Sequence, residues 1–248
     1  MTNSPSPVHL AESIDALITA TRHPSVHRIV VRGELKNAPT IRLAPGQSLH
    51  GEGALASIEF ADGVDGLQLS TDNEVSGLAL TASPDKRVIF NDTTVASLGR
   101  MRLAGLSVIG QVQLLARDAV KSGHVDVDGL DIVGADARAC TDRPIGFGVH
   151  VLQGAFTLWN MQPDERVTIS ANLIGLSAGR EGAPVRGSGI FVSGAGFTGG
   201  RLVVTLLDTG AVYSDGGIPP KERRTRSPVA CSPSSTRTST RCAIAVRS

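Results

Sequence analysis

Residues 64–69 (VDGLQL), 75–80 (VSGLAL), 103–108 (LAGLSV) and 127–132 (VDGLDI) repeat one short phrase. Each ends Gly-Leu-x-apolar, so Leu67/Leu69, Leu78/Leu80, Leu106/Val108 and Leu130/Ile132 stand two apart. A spacing of two puts both members of a pair on one face of a strand. Counted from glycine to glycine, the phrases lie 11, 28 and 24 residues apart. Two strands within one turn account for the short first interval. A drifting period in the twenties, with hardly any helical pattern in between, predicts stacked coils of short strands: a parallel β-helix. One coil cannot bury its own apolar face, whereas several stacked coils share a continuous aliphatic interior. The glycine before each leucine marks a bend where a side chain is unwelcome. A β-sandwich would need hairpin turns such as Asn-Gly between its strands, and these are missing.

The rest of the chain extends the pattern. Strands are expected in RIVVRGEL, VIF (88–90), MRL (101–103), LSVIG (106–110) and VQLLA (112–116), and again at 148–180 and 189–213. Ahead of them, Leu10, Ile14, Leu17 and Ile18 follow helical spacing, with Ser6 as the cap, Pro7 at the first helical position and Pro24 at the end. Such a helix closes the open end of a solenoid. The expected organisation is a helical segment at 1–24, a β-helix of seven to nine coils at 25–220, and a separate tail at 221–248.

The run TIRLAPGQSLHGEG (40–53), followed by ASIEFADGVDGLQL and VSGLAL, resembles the opening coils of the pectin-lyase-like, right-handed β-helix proteins. The resemblance covers about residues 8–215. It implies an all-β, right-handed parallel β-helix with an N-terminal capping α-helix, and a poly- or oligosaccharide as the natural class of partner. In enzymes of this fold, acidic residues on an outward strand face act on the sugar chain. Asp126, Asp128 and Asp131 in HVDVDGLDIVG are the best such cluster, with Val125 and Val127 pointing inward. Paired carboxylates of this kind share a proton, hold a cation, or serve as acid and base on a glycosidic bond. An outward strand face must be polar in any case, so a solvated surface is the competing reading.

The enzymatic signatures of the resembled family are incomplete. Gly123-His124 is followed by Val125 where galacturonan hydrolases carry glycine, and neither Asn-Thr-Asp nor Arg-x-Lys occurs. Asp142-Arg143-Pro144 matches a piece of the pectate-lyase Arg-x-Pro-x-x-Arg motif but lacks the second arginine, which leaves Arg143 a weak candidate. His124 and His150 are candidate general bases by residue type, but nothing in the spacing supplies an orienting partner for either. Cys140 has neither CxxC nor metal spacing, and the glycine-rich 187–200 has no phosphate-loop pattern. No cofactor and no metal are expected. Aromatic residues make up 3%, with one Trp (Trp159) and one Tyr (Tyr213), few for a sugar-stacking groove.

These readings point first to a non-catalytic binding or scaffold module, and second to a lyase or hydrolase of acidic polysaccharide. The net charge of +1 divides into +6 for residues 221–248 and −5 for the remainder. The body therefore has no basic stripe for nucleic acid. No apolar run reaches the length of a membrane span, and MTNSPSPVHLAES has no export pattern, so a cytoplasmic protein is expected.

The tail breaks the pattern. Rich in Arg, Ser, Thr and Pro, it has no period of two. Two readings fit: a disordered basic tail, or a GC-rich coding stretch translated out of frame. Moving the frame by one base from Glu222 with permissible codons recovers GGVFTLVY, a strand-like run, and would make the chain a truncated solenoid. The nucleotide sequence across codons 215–248 decides between them.

Overall fold

The computed structural model describes residues 8–137 and, beyond them, 146–147, 150–151, 154–162, 167–180, 185–186, 188–193, 197–206, 212–215, 220–222 and 245–247. Strand β1 (Val8–Ala11) and helix α1 (Ile14–Arg22) come first. The following turns contribute β2 (Arg28–Ala38) with β3 (Ile41–Arg42), and β4 (Ser48–Phe60) with β5 (Leu67–Leu69). Next come β6 (Glu74–Ser76), β7 (Ala79–Thr81) and β8 (Arg87–Asn91), then β9 (Ser97–Ile109) with β10 (Gln111–Ala116). The long β11 (Ser122–Asp136) is followed by a small antiparallel pair, β12 (Gly146–Phe147) and β13 (His150–Val151), and by β14 (Gly154–Asn160). Then come β15 (Thr168–Ala178), β16 (Val185–Arg186) and β17 (Ser188–Ser193), β18 (Phe197–Leu206) with β19 (Val212–Asp215), and finally β20 (Pro220–Glu222) and β21 (Ala245–Arg247).

These strands form two large parallel sheets stacked as a β-solenoid. The first follows the order β1-β2-β4-β6-β9-β11-β15-β18-β20; the second is eight-stranded, β21-β19-β17-β14-β10-β8-β5-β3. Each strand of the second sheet belongs to one turn, so eight turns are followed among the described residues. Parallel pairing between sequence-distant strands is what a coil-upon-coil path requires.

The alternating pattern decides which side chains enter. Val75, Leu103, Val127 and Leu173 stack in register inside the first sheet, each fully or nearly fully buried. Past the bend, Leu80, Val108, Ile132 and Ala178 stack likewise. The second sheet answers with Leu67, Ile89, Val112 and Phe156. All belong to one continuous apolar cluster.

The bend between these two inner columns is made by glycine. Gly77, Gly105, Gly129 and Gly175 have φ of 64°, 58°, 74° and 65°. Left-handed backbone of this kind costs glycine little and other residues about 1 kcal/mol or more. The short first interval has the meaning expected of it, two strands within one turn. The phrase at 64–69 lies in the second sheet, with Leu67 and Leu69 in β5, so it does not stack with the other three. Its place in the column is taken by IGLSA at 174–178, where Leu176 pairs with Leu130.

The helix also starts later than its spacing predicts. Ser13, not Ser6, is the N-cap, its side chain accepting from the Ala16 N–H at 3.2 Å, and Asp15 stands in the first turn. Residues Val8–Ala11 instead pair in parallel with Arg28–Val31. That pairing satisfies an edge of β2 that a helix would leave open, and Ser13 offers the same capping chemistry as Ser6. Leu17 and Ala20 enter the shared interior. Gln47 secures the far end of the helix, its amide donating to the carbonyls of Ala20 and Val26 at 3.2 and 2.9 Å. No described helix is long and apolar enough to cross a membrane.

Candidate functional site

The outward face of the first sheet carries polar columns as regular as the aliphatic ones beneath it. In β11, Val125 and Val127 are buried, which turns His124, Asp126 and Asp128 outward. Register then sets Arg100 of β9 and Ser170 of β15 on either side of His124, and Arg102 and Asn172 on either side of Asp126.

Five of these side chains join in one hydrogen-bonded group. Asp126 Oδ1 lies 2.8 Å from His124 Nε2 and accepts from Asn172 Nδ2 at 3.0 Å. Asp126 Oδ2 accepts from Arg100 Nε and Nη2 at 3.1 and 3.0 Å. On the other side of the imidazole, His124 Nδ1 lies 2.5 Å from Ser170 Oγ. With Nε2 donating to the carboxylate, Nδ1 is left to accept from the serine hydroxyl. Burial alone would raise the Asp126 carboxyl. The hydrogen bonds from Asn172, His124 and Arg100 outweigh it and hold the group below the usual carboxylate range.

His124 therefore has an orienting partner, contrary to the expectation from spacing. The partner is Asp126, two residues on and hence on the same face. That signal was present in HVD. The contributions of Ser170 and Asn172 depend on a register 46 residues distant, which local spacing does not reveal.

The three acidic candidates do not form one cluster. Asp126 is held by three neighbours. Asp128 is exposed on the same strand, with no hydrogen bond to Asp126. Asp131 lies beyond the bend at Gly129 and accepts from Ser177 Oγ at 2.7 Å. Arg143 and Cys140 lie outside the described residues, as does the side chain of His150. Trp159 is buried against Leu115 and Phe191, edge-on to the phenyl ring at 5.5 Å, so it lines no groove. Among the described residues no group of three or more His, Cys, Asp or Glu side chains gathers to hold a metal.

A second serine–histidine pair stands farther along the same face, with His50 Nδ1 2.7 Å from Ser76 Oγ. Burial pushes the His50 imidazole below its ordinary value, against the pull of Glu74 and with the help of Arg28 and Arg102.

The stacked bend leaves a trough along the solenoid axis. Gly77, Gly105, Gly129 and Gly175 supply its floor without side chains, and Ala79, Ser107 and Asp131 form one wall, enclosing about 510 Å³. A smaller recess of about 330 Å³ on the second sheet presents Arg42, Gln68, Asp92 and Thr94.

The fold and this surface define a β-solenoid with an ordered polar face and an axial trough. No family model, no curated protein and no solved structure matches the chain.

Proposed function

We propose that this chain is a binding module of the pectin-lyase-like, right-handed β-helix group that lays a poly- or oligosaccharide along the glycine trough and leaves its glycosidic bonds intact. The trough carries the reading. It runs past the glycines of successive turns, from Gly53 to Gly175, which suits an extended polymer. Its glycine and alanine surface admits the C–H faces of a sugar ring, and Ser107 and Asp131 offer partners for hydroxyl groups. The Asp131 carboxylate in the wall disfavours an anionic chain and favours a neutral one.

The carboxylates support binding rather than cleavage of the chain. Cleavage of a glycosidic bond by two carboxyl groups needs one held protonated and the other ionised across the bond. Asp126 is held ionised by its neighbours, and Asp131 stands across the bend in a different column.

Calorimetric titration with neutral oligosaccharides tests the proposal. Binding should saturate with the intact chain. It should weaken at least tenfold in Ser107→Trp, whose ring fills the trough from an exposed wall position. Unsaturated or reducing ends should not accumulate. Equal affinity in Ser107→Trp, or cleaved product, would overturn it.

A further inference from the structure

The group around His124 has an order that binding along the trough does not use. Ser170 Oγ, His124 Nδ1, His124 Nε2 and Asp126 Oδ1 form a chain of two hydrogen bonds, 2.5 and 2.8 Å long. That is the arrangement in which a carboxylate orients an imidazole and the imidazole takes a proton from a hydroxyl. The acid is itself fixed by Asn172 and Arg100, so the imidazole plane is set from behind. Ser170 and His124 are both partly exposed.

The strand on the far side of Ser170 is irregular beside it. In β18, Phe197 pairs with Ile169 and Gly200 pairs with Ala171, so Thr198 and Gly199 together oppose the single residue Ser170. An extra residue interrupts the ladder and leaves backbone groups outside it.

We propose that Ser170, His124 and Asp126 form a serine-nucleophile site that hydrolyses small carboxylic esters. Ser170 Oγ adds to the ester carbonyl carbon as its proton passes to His124 Nδ1, and the carbonyl electron pair moves onto oxygen. Collapse of that adduct breaks the bond to the alcohol oxygen, which leaves with the proton from His124. Water then adds to the acyl-serine, giving its proton to His124. The second collapse releases the carboxylic acid and returns the proton to Ser170. The net reaction is ester plus water to acid plus alcohol. Asp126 acts as a positioning residue throughout, accepting from Nε2–H. The proposal does not depend on the trough, and each fails separately.

His50 and Ser76 provide a comparison within the same molecule. They have the same serine–histidine contact, but no carboxylate is hydrogen-bonded to His50 Nε2 among the described residues. The test is covalent labelling of the full chain with a fluorophosphonate, read by peptide mass spectrometry, alongside hydrolysis of p-nitrophenyl acetate. The label is expected on Ser170 and not on Ser76. Ester hydrolysis should fall to the background rate in Ser170→Ala and at least a hundredfold in His124→Ala. Asp126→Asn should slow labelling at least tenfold, with part of the rate recovered in Asp126→Glu. Ser83→Ala, outside both sites, should leave both readouts unchanged. Far-UV circular dichroism and melting temperature confirm that each variant is folded; should His124→Ala unfold, the labelling position in the unaltered chain still decides. Absence of label on Ser170, equal labelling of Ser76, or unchanged hydrolysis in folded Ser170→Ala would overturn the proposal.

Discussion

Asp126 links the acid stability of the fold to its polar face. Its carboxyl is held below the ordinary range in the folded chain, so it stabilises the fold wherever it is ionised. That contribution is complete above the unfolded carboxyl value of 3.8 and is lost as pH falls through the lower folded value. Urea midpoints followed from pH 6 downwards should show an acid decline, and Asp126→Asn should flatten it. At neutral pH the substitution should cost about 1–3 kcal/mol, since a mostly buried acceptor of charge-assisted bonds is removed. Gly129 tests the bend at the same scale. An added Cβ would meet only Gly105 backbone at 3.6 Å, an ordinary contact, so the cost comes from φ +74° alone. Gly129→Ala should therefore lose about 1 kcal/mol in urea unfolding, and Gly129→Asn less, because asparagine tolerates left-handed backbone. The glycines were legible as bends from their place before Leu-x-apolar. Their alignment into a trough was not, because it depends on which coils share a register.

At the scale of the element, successive turns are tied by buried amides as well as by strand ladders. Asn73, 1% exposed, accepts from the Ser70 N–H at 2.6 Å and donates to the carbonyls of Ala44 and Gln47 at 2.8 and 2.9 Å. It holds the corner before β6 to the corner one turn earlier, where Gln47 in turn holds α1. Asn73→Ala leaves three backbone groups without this partner, and each such loss costs about 1–3 kcal/mol. A loss of about 3 kcal/mol or more in thermal or urea unfolding is expected, larger than for Gly129→Ala. Neither amide stood out in the sequence, since Asn-Glu and Gly-Gln read as ordinary turn residues. The helix shows the same limit. Its amphipathic spacing was legible, but its start moved seven residues because β1 found a partner in β2, and local spacing carries no information about that partner.

Across the whole molecule, the aliphatic columns make stability a matter of neighbours. Leu103 lies between Val75 and Val127, fully buried. Leu103→Ala should cost about 2–5 kcal/mol through the cavity it leaves. Because each turn contacts chiefly the turns before and after it, amide exchange in this variant should quicken most in β6, β9 and β11, and least in β2. Uniform quickening along the chain would contradict that picture. The solenoid as a class was legible because Leu-x-apolar recurs with few alternatives for burying it. The polar site was only half legible: HVDVD displays the outward residues of one strand, while Ser170, Asn172 and Arg100 reach it from turns before and after.

The repeated glycine bend also restricts how such a chain changes length. A duplicated whole turn of about two dozen residues would continue every column, polar and aliphatic alike, and simply lengthen the rod. A single inserted residue within β9 or β11 would instead exchange inside for outside along the remainder of that strand. Size variation among descendants of this architecture should thus come in steps of one rung, with smaller insertions confined to the corners.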